Sequence, residues 1–461
     1  MGALDAAVVA AFLAATVALG VRASRRPAEA TDEYLLAGRT LGLGLFVVTL
    51  VATWYGGVLG VGEYSYRYGL SNWLVLGVPY YVGALLFVAL FAARARETGE
   101  YTVPDLLFRT YGKGAGLAGT ATVLAMSFPA AYLLMLGVLL ERVTGLDRKP
   151  AILLSAAFCL AYIAVRGFRS VVQTKWLQFA LMYGGFALLL PIAALRHGGP
   201  GFLRAKLPPE AFTWHGGRSA AYVVAWYFIA LQTLVEPTFF QRCFAARSAR
   251  VARNGILLAV LCFAVFDSLT TVTGMYARAI LPGLPSALDA FPALGEDLLP
   301  PVLLGLFYAG LLATILSTVD SFLFVGGVTV GRDLVWRLSG GALDQRRWTR
   351  AGLVLSAALS AAIAMASDSV VALWYGFGSV GTAVLLPPLL GAFYPAIRPA
   401  PRFALAGMAA SGSVTFAWLA SAAARGPEGP WLGVEPIYAG LVVAATVHAC
   451  GVLASRRSGV D

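Results

Sequence analysis

Residues 311–327 read LLATILSTVDSFLFVGG, and Ser317, Thr318, Asp320 and Ser321 fall together in the middle of that run. Apolar residues continue on both sides, so the four sit near the centre of a membrane-length segment. A carboxylate at that depth costs roughly 2.5–3.5 kcal/mol on the insertion scale, and is kept where it is paired or used. The bland role open to the hydroxyls is a bond back to their own helix, the common fate of serine and threonine in membranes. Glu236, beside Pro237, and Asp267, in FAVFDSLTT, are further carboxylates inside apolar stretches. No Ser/His/Asp set, His-Glu-x-x-His pair or di-acid motif lies in these stretches, and no Gly-Lys-Ser/Thr phosphate loop occurs. The pattern suits ion and solute handling, not an enzyme.

These groups need a frame of helices. Of 461 residues 59% are hydrophobic and 12% charged, against about 25% charged in soluble domains. Apolar runs of about 20 residues match the bilayer core. Backbone polar groups in lipid must be satisfied internally, which leaves helices or a closed barrel. The runs are too long and too evenly apolar for barrel strands, so the class is all-α and polytopic. The net charge of +11 needs no nucleic acid, because basic loops on the cytoplasmic side account for it. Cys159, Cys243, Cys262 and Cys450 lack metal spacing and read as small core residues, and His197, His215 and His448 form no set. No cofactor is expected.

Thirteen spans are predicted, at 4–21, 41–62, 72–93, 115–140, 150–165, 170–195, 219–240, 254–277, 300–325, 349–367, 370–395, 403–423 and 435–454. The first lacks a preceding basic segment and is followed by VRASRR, so it reads as a retained helix, not a cleavable signal. Alternate loops hold most of the 34 Lys and Arg. Arg25, Arg26, Arg166, Arg169, Arg242, Arg332 and Arg337 count among them. The bias places the N-terminus outside and the C-terminus in the cytoplasm of a bacterial-type inner membrane. The connection at 196–218 is the longest and could hold a short surface helix.

Two spans look interrupted. VATWYGGVLGVGE carries Gly56, Gly57, Gly60 and Gly62, and ALQTLVEPTFFQR carries Pro237. Each opens a block of five spans, 41–195 and 219–395, within a single domain of 1–461, with 4–21 before and 403–454 after. Five is odd, so the blocks would be inverted with respect to one another, as in transporters with broken helices at the midplane.

Over nearly its whole length the chain resembles the sodium:solute symporter family. The resemblance lies in DEYLLAGRTLG, ETGEYTVPDLLFRTYG, EPTFFQRCFAARSARVAR and ATILSTVDSFLF, in that order. VATWYGG is similar to the first core helix of the family's choline-transporter branch. The resemblance implies a leucine-transporter-like fold, alternating access and uptake of a small solute driven by sodium, the bilayer being the other partner. It implies a sodium site built from carbonyls of Ala52, Tyr55 and Thr314 and hydroxyls of Ser317 and Thr318. Thr314 with Ser317, and Thr314 with Thr318, share one helix face.

The chain departs from the family pattern in the fifth core helix. Where many members have an Asp that helps hold a second sodium, SVVQTKWLQ places Lys175, and Asp320 stands where a second-site serine is expected. The expectation is a Lys175–Asp320 pair in place of that sodium. The alternative lets Lys175 snorkel to the cytoplasmic surface. A proton-coupled or uncoupled carrier using this pair, and a transporter-like sensor, are the competing functions. Expected solute-lining residues are Trp54, Gly57, Tyr80, Tyr81, Ser127, Phe128, Trp226, Gln232, Glu236, Trp374, Tyr375 and Phe377. Glu236 with Trp54 and Trp226 would suit a cationic solute.

Overall fold

A computed structural model describes residues 2–23, 31–163, 168, 171–172, 174–426 and 429–457. Arg25, Arg26, Arg166 and Arg169, the end of the fifth predicted span and the start of the sixth lie outside the described residues. Among the described residues the regular elements are helices. The longer ones are α1 (Ala3–Ala23), α2 (Leu43–Tyr68), α3 (Trp73–Glu97), α4 (Val103–Thr144), α5 (Arg148–Ile163), α6 (Lys175–His197) and α7 (Ala220–Ala245). Then come α8 (Ala249–Ile280), α9 (Leu303–Trp336), α10 (Gln345–Met365), α11 (Val370–Phe393), α12 (Pro401–Arg425) and α13 (Pro436–Arg457). Among the described residues, eleven of these helices, all but α1 and α5, are long and apolar enough to cross a membrane. The long connection carries the helix Pro200–Lys206.

Burial ranks these helices. The apolar window of α9 is 89% buried, and those of α12 and α13 are 22% buried. A helix apolar all round belongs in the interior, and α9 packs against α1, α2, α4, α6 and α10. Leu153, Leu154, Leu261, Val265, Phe416 and Val442 point outward, giving the lipid an apolar surface.

Both anticipated interruptions occur. α2 is helical over Leu43–Trp54, tightens to a 3-10 turn at Tyr55–Gly57 and resumes over Val58–Tyr68. α7 runs Ala220–Ile229, passes through a 3-10 turn and an extended Glu236, and restarts at Pro237–Ala245. Proline lacks an N–H and suits the first turn of the restarted half. A third break was not anticipated. α4 stops at Met126 and restarts at Ala130, across Ser127, Phe128 and Pro129.

Short ties hold the ends. Leu41 and Ala246 form an isolated parallel bridge, with Leu41 N–H donating to Ala245 O at 3.1 Å and Arg247 N–H to Leu41 O at 3.0 Å. The start of α2 is thereby fastened to the end of α7. At that end Arg332 pairs with Asp105 at 2.9 Å, and Arg337 donates to the same carboxylate. These two arginines are therefore ion-paired, although the loop count treated them simply as flanking charge.

At the other end Arg142 pairs with Glu296 at 2.6 Å and Asp289 at 3.0 Å, and the Tyr308 hydroxyl donates to Glu296. Partial burial pushes the Glu296 carboxyl up, but the bonds from Arg142 and Tyr308 outweigh it and hold the group below its ordinary value. A carboxyl depressed in the fold contributes stability that is complete above its unfolded pKa and lost as pH falls through its folded one. Acidification below about pH 4 should therefore lower the melting temperature of the wild type more steeply than that of Arg142→Gln, which already lacks the clamp. Parallel curves would refute the assignment.

Candidate ion and solute site

Where α2 breaks, its free backbone faces α9. Ser317 Oγ donates to Thr314 O at 2.7 Å and to Ala52 O. Thr318 Oγ1 donates across to Thr53 O at 2.6 Å and Ala52 O at 3.5 Å. Two hydroxyls and three carbonyls converge, the oxygen set a small hard cation takes from an unwound helix. The Thr314 hydroxyl bonds back to Gly310 O at 2.6 Å, so Thr314 contributes its carbonyl. Tyr55 lies in the 3-10 turn with its hydroxyl turned away to Phe263 O at 2.8 Å. A Cβ on Gly56 would overlap Thr318, so only glycine permits this approach of backbone to helix.

Two cationic side chains stand beside this cage. Lys175 is 0% exposed. Its ammonium donates to Ser317 O, within electrostatic reach of Asp320. Snorkelling to the surface is thereby ruled out. The second is Arg242, which the loop count had placed outside the membrane. It is 0% exposed, and Nη2 donates to Thr53 Oγ1 at 2.7 Å and Ser321 Oγ at 2.8 Å. Nη1 donates to Thr238 O at 3.1 Å. The correction has a simple cause: the restart at Pro237 carries the chain inward for two more turns. Every residue from Pro237 to Ala245 is buried. The signal was present in the apolar neighbours Phe239, Phe240, Cys243 and Phe244.

Between the two broken helices lies a cavity of about 100 Å³. Of the expected lining residues, Trp54, Gly57, Tyr80, Phe128, Gln232, Glu236, Trp374 and Phe377 surround it. Tyr132 and Phe322, which sequence reasoning missed, do so too. Glu236 is buried and caps the restarted half of α7, accepting from Thr238 N–H at 3.3 Å, Thr238 Oγ1 at 3.2 Å and Gln232 Nε2 at 3.5 Å. It is therefore both a helix cap and a carboxylate on the cavity wall. Asp267 is a second carboxylate on that wall and accepts from the Tyr81 hydroxyl. Trp54 meets Tyr80 and Phe239 edge-on, with centroids 5.5 and 5.0 Å apart.

Four expected residues are placed elsewhere. Tyr81 stands behind Asp267 and does not line the cavity. Ser127 is buried at the break in α4 and bonds back to Val123 O at 2.6 Å. Trp226 and Tyr375 line a different cavity, nearer the end of α2.

This architecture can be compared with known proteins. The family model described as "Sodium:solute symporter family" matches residues 34–409. The chain belongs to the sodium:solute symporter family. Its relatives are transporters, not enzymes. It is 24% identical to the sodium/pantothenate symporter of Escherichia coli K12, over 96% of this chain and 94% of that one. It is 23% identical to high-affinity choline transporter 1 of Caenorhabditis elegans, over 79% and 67%. A solved sodium-coupled sialic acid symporter, in a substrate-bound outward-open state, superposes with a TM-score of 0.79 at 15% identity, over 99% of this chain and 98% of that one. That likeness shows the fold.

Proposed function

We propose that this multi-pass symporter moves a small organic solute bearing a cationic group across the cell's inner membrane together with one sodium ion, by alternating access. The observation that carries the reading is the meeting of the Ser317 and Thr318 hydroxyls with the Ala52, Thr53 and Thr314 carbonyls at the break in α2. Sodium, the coupling ion named for several relatives, takes such oxygens. The solute would occupy the central cavity, with the Glu236 and Asp267 carboxylates supplying charge. Trp54, Tyr80 and Trp374 would supply aromatic faces for cation–π attraction. Thirteen crossings, inverted blocks at 41–195 and 219–395, an outside N-terminus and a cytoplasmic C-terminus complete the proposal.

One sodium is proposed because basic groups stand where the family resemblance would put a second. The Lys175 ammonium donates to Ser317 O, and the Arg242 guanidinium to Ser321 Oγ and Thr53 Oγ1. Asp320 offsets part of that charge. A buried lysine beside a carboxylate also favours one competing reading, coupling to protons through Lys175 and Asp320.

The test is uptake into liposomes holding the purified chain. Labelled quaternary amines, amino acids, sugars and carboxylates are screened under an inward sodium gradient, a proton gradient and neither. Sodium-driven uptake of a cationic solute with a sodium-to-solute flux ratio of one is expected. Loss of one hydroxyl, in Ser317→Ala or Thr318→Ala, should raise the half-activating sodium concentration about tenfold, the equivalent of about 1.4 kcal/mol. Uptake driven only by protons and lost in Lys175→Ala or Asp320→Asn would overturn sodium coupling.

A further inference from the structure

Trp226 and Tyr375 belong to a cavity that the central site does not use. It measures about 380 Å³, against about 100 Å³ for the central one, and the two share no lining residue. Both are built along α2 and α11. Gly57 and Val61, with Trp374 and Phe377, face the central cavity, whereas Glu63 and Tyr64, with Ser369 and Tyr375, face this one. The two spaces are thus neighbours on the same two helices. On the proposed topology, the second is the outer.

Its walls have a definite chemistry. Glu63 is 4% exposed. Its Oε1 lies 3.5 Å from Arg67 Nη1 and accepts from Ser369 Oγ at 3.5 Å, while its Oε2 is buried and has no hydrogen-bond partner. The fully buried Trp226 presents an indole N–H that is also without a partner. Glu435 accepts from the Tyr375 hydroxyl. Aromatic rings supply much of the remaining surface, with Tyr64 and Tyr68 4.7 Å apart and Trp226 and Tyr375 6.2 Å apart.

One cation already sits against these rings. The Arg218 guanidinium lies 4.2 Å from the centroid of Tyr222 and 5.5 Å from that of Tyr68. Among the described residues no carboxylate pairs with it. Aromatic faces gathered around a cation, with carboxylates behind them, are how proteins recognise alkylammonium groups. With Arg218 swung out, Glu63 and Glu435 outnumber Arg67, and the cage is left with a negative balance.

We propose that this cavity is a second binding station for an organic ammonium ion, and that Arg218 is a tethered occupant which the ligand displaces. The direction of passage, from this station to the central one, rests on the transport reading above; binding here does not.

The test is equilibrium binding of benzyltrimethylammonium to the full chain in nanodiscs of phosphatidylglycerol, which exclude the ammonium headgroup of choline lipids. Two sites per chain are expected in the wild type. Glu236→Gln should lose the central site and keep the outer one. In that background Arg218→Ala should tighten binding about tenfold by emptying the cage, and Glu63→Gln should weaken it about tenfold. Tightening on removal of an arginine is a result that a merely structural role for Arg218 would not give. Loss of all binding in Glu236→Gln, or indifference to both Arg218→Ala and Glu63→Gln, overturns the outer station and leaves the central reading standing. A single site that ignores Glu236→Gln but answers to Glu63 and Arg218 upholds the outer station and overturns the central cation reading. Added phosphatidylcholine that competes with the probe would identify a lipid headgroup as the occupant and remove the station from the solute's path.

Discussion

Arg242→Leu should abolish sodium-driven uptake, lowering it at least about 100-fold, and should destabilise the fold. The guanidinium joins three helices, with Nη1 on Thr238 O of α7 and Nη2 on Thr53 Oγ1 of α2 and Ser321 Oγ of α9. Each hydrogen bond to a charged group is worth about 1.5–3 kcal/mol, so losing two or more exceeds the roughly 2.7 kcal/mol of a hundredfold change. Thr53 also supplies the carbonyl that receives Thr318, so slack in Thr53 reaches the cation cage directly. Arg242→Lys keeps the charge but loses the fork that serves both sides at once, and should restore folding better than transport. The checks are uptake, the half-activating sodium concentration and the melting temperature with and without sodium. Wild-type sodium activation in Arg242→Leu would remove Arg242 from the coupling machinery.

Gly56→Ala should be of comparable severity, with uptake below detection. The added Cβ would overlap both Oγ1 and Cβ of Thr318. Because Thr318 Cβ is fixed to the α9 backbone, no rotamer relieves the clash and α9 must retreat from α2. Overpacking a dense interior costs typically about 1–3 kcal/mol, and here the displaced contact is the cation cage itself. Thr318→Ala in the same chain removes Oγ1 and Cγ2 but leaves the clashing Cβ, so it should not rescue the fold. Thr318→Gly removes Cβ as well and should recover melting temperature without recovering sodium-driven uptake. Gly57→Ala makes a useful contrast. Its Cβ meets the Trp374 ring, a side chain with room to turn, so the damage should fall on solute affinity more than on folding. Full uptake in Gly56→Ala would show that the close approach of α2 to α9 is not needed.

The apolar runs carried most of the fold, because a membrane allows backbone groups no partner but the helix itself. The breaks in α2 and α7 were legible from Gly56, Gly57 and Pro237, residues that weaken or end a helix locally. The break in α4 had a similar sign in Pro129, overlooked inside a long apolar run. Arg242 was misread because a basic residue just past an apolar stretch looks like a membrane flank. Only the restart at Pro237 reveals that it points inward. Trp226 and Tyr375 were assigned to the right helices but face another cavity: Trp226 lies nearer the start of α7, and Tyr375 stands level with Trp374 and Phe377 but on a different side of α11. Glu236 could be foreseen beside Pro237, but Asp267 needed Tyr81, 186 residues away in sequence, before its partner was known.

The bridge between Leu41 and Ala246 has a mechanical meaning. It rivets the outset of α2 to the finish of α7, and Arg39 reinforces the joint by donating to Phe244 O at 3.4 Å and Gly99 O at 2.9 Å. The segments Leu43–Trp54 and Pro237–Ala245 therefore form the two arms of one lever, whose pivots are the breaks at Tyr55–Gly57 and Glu236. On the proposed reading, an ion at the first pivot and a solute at the second would load the same beam, and tilting one arm would turn the other.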